Sequence, residues 1–176
     1  MIVAIAGFGG TGKTTLGNAL ARKLKYRLIS PSFKILAKKR GISLMEFQKE
    51  AEKDKNIDLK FDAYLKSEAK KGNCIITTWL GPWIVNADLR IWLFAPIEIR
   101  AKRVAKRDNI SIHEARDLLK KRENQNRKRY LKLYNIDIFD TNIFDISFNS
   151  AKFSPKEMVD IIMKLRNNIR DNKTKR

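Results

Sequence analysis

Residues 7–14 read Gly7-Phe8-Gly9-Gly10-Thr11-Gly12-Lys13-Thr14, a full match to the pattern G-x-x-x-x-G-K-[ST]. No other stretch of the chain constrains its fold as tightly. The run stands between an apolar segment, Ile2–Ala6, that reads as a buried strand, and a segment carrying Leu16, Leu20, Ala21 and Leu24 at helical spacing. Strand, glycine loop and helix in that order make a phosphate cradle. The glycines let backbone N–H groups turn inward, and the helix N-terminus adds partial positive charge. In such a loop Lys13 reaches the β- and γ-phosphates of a nucleoside triphosphate, and the Thr14 hydroxyl serves Mg²⁺. The motif says nothing of what receives the phosphoryl group.

Beyond the loop, short apolar segments alternate with helical ones. Strands are predicted at 26–29, 74–76, 89–94 and 145–148. Between the second and third strands, residues 32–71 read as three helical pieces, broken at Gly41 and restarted by the capping box Ser43-Leu44-Met45-Glu46. Residues 97–134 are helical and basic, with a break near Asp108-Asn109 and a second capping box, Ser111-Ile112-His113-Glu114. Ser154-Pro155-Lys156-Glu157 opens the last helix. The alternation predicts an α/β domain with a mostly parallel sheet.

At 176 residues the chain amounts to one domain, and no apolar run reaches the ~20 residues of a membrane-spanning helix. The opening apolar run has no basic flank and does not read as a signal peptide. Cys74 is the only cysteine and His113 the only histidine. An internal disulfide, a Cys/His zinc site and a Cys-x-x-Cys centre are therefore excluded, and a reducing cytoplasm is the expected compartment. Charge is the outlier, at +19. Such a surface attracts polyanions, RNA among them, although a compositional habit of the source organism accounts for it equally well. Residues 100–132 hold 13 Lys or Arg against four Asp or Glu. Arg100, Arg103 and Arg107 share one helical face, and Arg122 and Arg129 stand seven apart. Guanidinium forks of this kind match phosphate oxygens and neutralise a transferring phosphoryl group.

Several stretches along the chain resemble the archaeal type of cytidylate kinase, a nucleoside monophosphate kinase with a P-loop. They include Leu36-Ala37-Lys38-Lys39-Arg40-Gly41, Lys70-Lys71-Gly72-Asn73, residues 86–93 with Ala95-Pro96, Arg122-Glu123, Arg129-Tyr130, and residues 134–137 and 154–157. The resemblance implies a P-loop hydrolase fold with a five-stranded parallel sheet flanked by helices. Its core would comprise residues 1–30, 72–107 and 122–170, with a monophosphate-binding arm at about 31–71 and a lid at about 108–121. It implies a monomer that uses ATP and Mg²⁺ to phosphorylate CMP or dCMP. Residues 7–15, including Thr15, would hold ATP, with Thr14 at the metal. Lys13, Arg103, Arg107, Arg122 and Arg129 would serve the transfer, and Ser32, Lys34, Asp62 and Trp79 would bind the acceptor.

The departures from the family cluster on the acceptor side. Thr77-Thr78-Trp79 stands where an acid-Gly-Arg sequence is usual, and Ala63-Tyr64-Leu65 where arginines are. Lys34 replaces an arginine, and Asn126 an acid. Trp79 is either a packed aromatic or a stacking surface for a base. Asp62 either contacts the acceptor or pairs with Lys66 one turn on. Two further readings stay open: the same chemistry on another acceptor, and an RNA-associated P-loop ATPase.

Overall fold

The structure is a computed structural model that describes the backbone of residues 1–174 and the side chains as far as Arg166. Five strands form one parallel sheet in the order β2-β3-β1-β4-β5. They are β1 Ile2–Gly7, β2 Arg27–Ile29, β3 Cys74–Thr77, β4 Leu89–Phe94 and β5 Ile146–Asn149. β1 lies in the middle, with Val3 opposite both Ile75 and Leu89. Val3, Ala4, Ile5 and Ala6 are fully buried, as continuous apolar runs are in a sheet covered on both faces.

The period of two along β1 divides the core. Val3 and Ile5 face a cluster that includes Leu16 and Leu20 of α1 (Lys13–Leu24) and Val159 and Ile162 of α8 (Pro155–Thr174). Ala4 faces the opposite layer with Ile76, Leu65 and Ala69. Leu65 and Ala69 belong to α4 (Lys55–Lys70), which follows α2 (Phe33–Lys39) and α3 (Leu44–Lys53). Those three helices close on one another around Phe33, whose ring meets Phe47 at 4.9 Å and Phe61 at 5.5 Å between centroids. A one-turn helix, α5 (Gly81–Ile84), follows β3 and has no periodicity by which sequence could predict it.

Both capping boxes form as the spacing predicts. Ser43 and Glu46 exchange side-chain and backbone hydrogen bonds at the start of α3, and Ser111 and Glu114 do so at the start of α7 (Ile112–Tyr134). α6 (Ile97–Asp108) ends at Asn109 in the left-handed conformation. α7 then returns along α6, burying Ala115 and Leu119 against Ala101, Val104 and Ala105. α7 is one continuous helix of 23 residues. The segment at about 108–121 is therefore the end of α6, a turn and the first half of α7. No helix among the described residues is long and apolar enough to cross a membrane.

Gly17 sets how closely α1 approaches the sheet. A Cβ there would stand 2.4 Å from Cγ2 of Thr77, a β-branched side chain whose hydroxyl is also bonded to Ser30 at 2.6 Å. Gly17→Ala should therefore destabilise the fold by about 1–3 kcal/mol, read as a lower midpoint in thermal or urea unfolding.

Candidate active site

The glycine loop joins β1 to α1 as the motif predicts. Gly7 ends the strand at φ +146, and a Cβ there would lie 2.2 Å from the Leu93 carbonyl oxygen of β4. The Lys13 ammonium folds back over the loop, donating to the Gly7 carbonyl at 2.7 Å and the Phe8 carbonyl at 3.1 Å. It also lies 5.6 Å from the centre of the Trp79 ring. Burial of that ammonium, together with Arg122, Arg100 and Arg107, lowers the Lys13 pKa to about 7.

A cavity of 590 Å³ opens from the loop toward α2–α4. Of the residues expected to work there, it brings together Gly9, Gly10, Gly12, Lys13, Thr14 and Thr15 on the loop side. Arg103, Arg107, Arg122 and Arg129 line it from α6 and α7, and Ser32, Lys34, Asp62 and Trp79 from the rest of the fold. Gly7, Phe8 and Thr11 do not line it. The Phe8 ring instead packs among Trp79, Trp92 and Phe139, at 5.0–5.7 Å between centroids. Thr11 is fully buried and donates its hydroxyl to the Phe8 carbonyl at 2.9 Å. These three shape the loop from behind.

The arginines divide by partner. Arg100 is buried, donating to Gly9 and Ala95 carbonyls and pairing with Glu123 at 2.5 Å, so it is structural. Arg103 ties the Gly10 carbonyl to Ser150. Arg107 meets Asp108 with two nitrogens, and Lys34 of α2 reaches the same carboxylate at 2.5 Å. Those contacts hold the Asp108 carboxyl well below the usual range. Arg122 makes no salt bridge with any described residue, and burial lowers its pKa, with Arg107 adding to the effect. Six cationic side chains and two carboxylates line the cavity. That excess of positive charge suits polyanions.

The carboxylates, Asp58 and Asp62, lie at the far end, one helical turn apart on α4. Asp62 accepts a short hydrogen bond from the Tyr134 hydroxyl and makes no salt bridge with Lys66 among the described residues. Asp58 lies 3.2 Å from Nε of Arg129, whose guanidinium is held between Phe33 and Tyr130, 4.9 Å from each ring centre. Arg129 also donates to Asn126, which accepts from Gln48 at 3.2 Å. These partners of Arg129 lie on α2, α4 and α7, at the end of the cavity away from the loop. Asp58, Gln48 and Phe61 escaped the sequence reading. The available signal was the spacing of Asp58 and Asp62, two acids sharing the face of α4 that carries Leu65 and Ala69.

The departures at 77–79 acquire structural roles. Thr77 bonds to Ser30, Thr78 Oγ1 accepts from Gly81 N–H at 2.9 Å, and Trp79 adjoins Phe8 and Lys13. No described residues form a group of His, Cys, Asp or Glu able to hold a metal ion. The Thr14 hydroxyl on the cavity wall is a hard oxygen donor of the sort Mg²⁺ takes alongside phosphate oxygens, so the residues present fit a Mg²⁺ that arrives with its nucleotide.

Because the Lys13 pKa is about 7 without an anion beside it, a bound triphosphate should raise it. At about pH 8.5 triphosphate binding should therefore take up close to one proton, falling toward zero below about pH 6, where Lys13 is already charged. Calorimetry in two buffers of different ionisation enthalpy measures that uptake, and Lys13→Ala should abolish it.

The sequence model of the cytidylate kinase-like family matches residues 2–152. Cytidylate kinase of Pyrococcus horikoshii is 46% identical over 165 residues, covering 92% of this chain and 86% of that protein. Cytidylate kinase of Ignicoccus hospitalis is 39% identical over 168 residues, 93% of this chain and 98% of the relative. Among solved structures, shikimate kinase from Acinetobacter baumannii superposes with a TM-score of 0.61 at 15% identity, over 95% of this chain and 93% of the other. Deoxyadenosine kinase from M. mycoides with bound dCTP gives 0.53 at 19%, over 96% and 100%. Those two likenesses show the fold alone. Identity above 40% along nine-tenths of the chain shows more: this chain belongs to the cytidylate kinase-like family.

Proposed function

We propose that this protein transfers the γ-phosphoryl group of ATP to CMP or dCMP, giving ADP and the corresponding diphosphate. The observation that carries the reading is the cavity itself, which runs from the glycine loop to α2–α4 with six cationic side chains along it. Two polyanions can meet there only if their repulsion is neutralised, and that charge supplies the neutralisation.

An oxygen of the acceptor phosphate attacks the γ-phosphorus and a new P–O bond forms. The bond from the γ-phosphorus to the β,γ-bridging oxygen breaks, and its electron pair leaves on ADP. The acceptor phosphate is already an anion, so no strong base is required, in keeping with a cavity without histidine or cysteine. Residues 7–15 cradle ATP, Lys13 turns from the loop carbonyls to the β- and γ-phosphates, and Arg122 meets the transferring group. Arg103 and Arg107 serve from α6. Ser32, Lys34, Asp62 and Trp79 receive the acceptor, with Arg129 holding the far wall. The Thr14 hydroxyl would hold a Mg²⁺ that arrives with its nucleotide, and that ion would supply further neutralisation of phosphate charge.

Residues at about 31–71 act as the monophosphate-binding arm and those at about 108–121 as the lid. The salt bridge between Lys34 and Asp108 joins the two segments and supports their acting together. A monomer is the proposed form, and the single cysteine, Cys74, buried and free, supports a reducing cytoplasm.

ADP formation from Mg·ATP should rise with CMP or dCMP well above its rate with UMP, AMP, GMP or no acceptor. Lys13→Ala should lower that rate by about 10²–10³-fold with an unchanged unfolding midpoint. Equal use of all four bases would overturn the acceptor assignment. Turnover that needs no acceptor, with steeply salt-dependent RNA binding, would favour the RNA-associated ATPase.

A further inference from the structure

We infer that Asp58, acting with Gln48 and Arg129, reads the amino edge of the acceptor base and makes this enzyme select cytosine over uracil. The inference rests on the proposed CMP acceptor and assigns the residues that choose it.

All three side chains are more than nine-tenths buried, and all three line the cavity. Each also carries buried polar atoms left without a hydrogen bond: Oδ2 of Asp58, Oε1 of Gln48, and Nε and Nη1 of Arg129, of which Oδ2 and Nε face each other as an ion pair at 3.2 Å. Burying such atoms without hydrogen-bond partners is costly, so a site that keeps them together is shaped for a ligand to satisfy them. With Nε set against Oδ2, what remains for a ligand is the Gln48 oxygen, the further lone pairs of the Asp58 carboxylate and the donor Nη1 of Arg129. The edge of cytosine complements that set, with two N–H donors on the 4-amino group and acceptors at N3 and O2. Uracil reverses the pattern, presenting O4 to the carboxylate and an N3–H to the guanidinium.

The surroundings hold the three groups in place. Phe33 and Tyr130 fix the plane of the Arg129 fork. The Gln48 amide is oriented because its nitrogen donates to Asn126, leaving its oxygen as the unmatched atom. Asp58 stays against Arg129. Burial raises the Asp58 carboxyl to about 6, and the Arg129 guanidinium beside it opposes the rise and favours the carboxylate, the acceptor form.

The test compares kcat/KM for CMP, UMP and 2-pyrimidinone ribonucleoside monophosphate, which lacks the 4-amino group, in the wild type, Asp58→Asn and Gln48→Met. Asp58→Asn should lower CMP use by about 10²-fold and narrow the CMP-to-UMP ratio at least about tenfold. It should leave use of the 2-pyrimidinone nucleotide nearly unchanged. Gln48→Met should show the same pattern at about tenfold, and it decides the matter if Asp58→Asn does not fold. Equal losses on CMP and the 2-pyrimidinone nucleotide would mean that these residues only hold α4 to α7, and would overturn the inference while CMP stands as acceptor. A wild type that ignores CMP would overturn the acceptor assignment itself.

Discussion

The buried guanidinium of Arg100 connects the parts on which the site depends. It reaches the Gly9 carbonyl in the glycine loop, the Ala95 carbonyl after β4 and the Glu123 carboxylate midway along α7. The loop, the end of β4 and the long basic helix are thereby held to one another. Removing one partner of a buried ion pair costs about 3–5 kcal/mol, because the other is left charged and unsolvated. Around this anchor the loop packs directly on α6 and α7. A Cβ on Gly10 would lie 2.7 Å from the Arg100 carbonyl, and one on Gly9 would lie 2.5 Å from Leu119. Arg103 of α6 and Arg122 of α7 stand beside the phosphate cradle because the elements meet this closely.

The same arrangement explains why the cavity is polarised along its length. Near the loop, cations outnumber acids, and the Lys13 pKa falls to about 7 under burial and the charge of Arg122, Arg100 and Arg107. At the far end Asp58 and Asp62 accompany Arg129, and the walls become aromatic and amide in character. A phosphate-rich donor suits the first end. A base and sugar, with only one phosphate, suit the second.

Much of this was legible in the chain. The strand, loop and helix around Gly7–Thr14 follow from local sequence, as do the capped starts of α3 and α7, because each depends on residues within a few positions of one another. Where local rules weaken, the reading loses definition. α5 is a single turn stabilised by Thr78 and Pro82, with no period to detect. Thr77, Thr78 and Trp79 look in sequence like losses from an acceptor site. In the fold they bond Ser30, cap a turn and flank Lys13.

Local patterns determined the fold class, the triphosphate cradle and the presence of a basic face, since these are set by spacing along the backbone. Partner choice belongs to the tertiary structure. Arg100, Arg103, Arg107, Arg122 and Arg129 are alike as letters, yet Arg100 is buried on Glu123, Arg103 bridges to Ser150, Arg107 is held by Asp108, Arg122 lines the cavity with no salt bridge to a described residue, and Arg129 lies against Asp58. Asp58 and Gln48 entered the site only when α3 and α4 folded back onto α7, more than 60 residues away in sequence. The contacts that sort equivalent charges into anchors and ligands join distant segments, and only the packed chain brings those segments together.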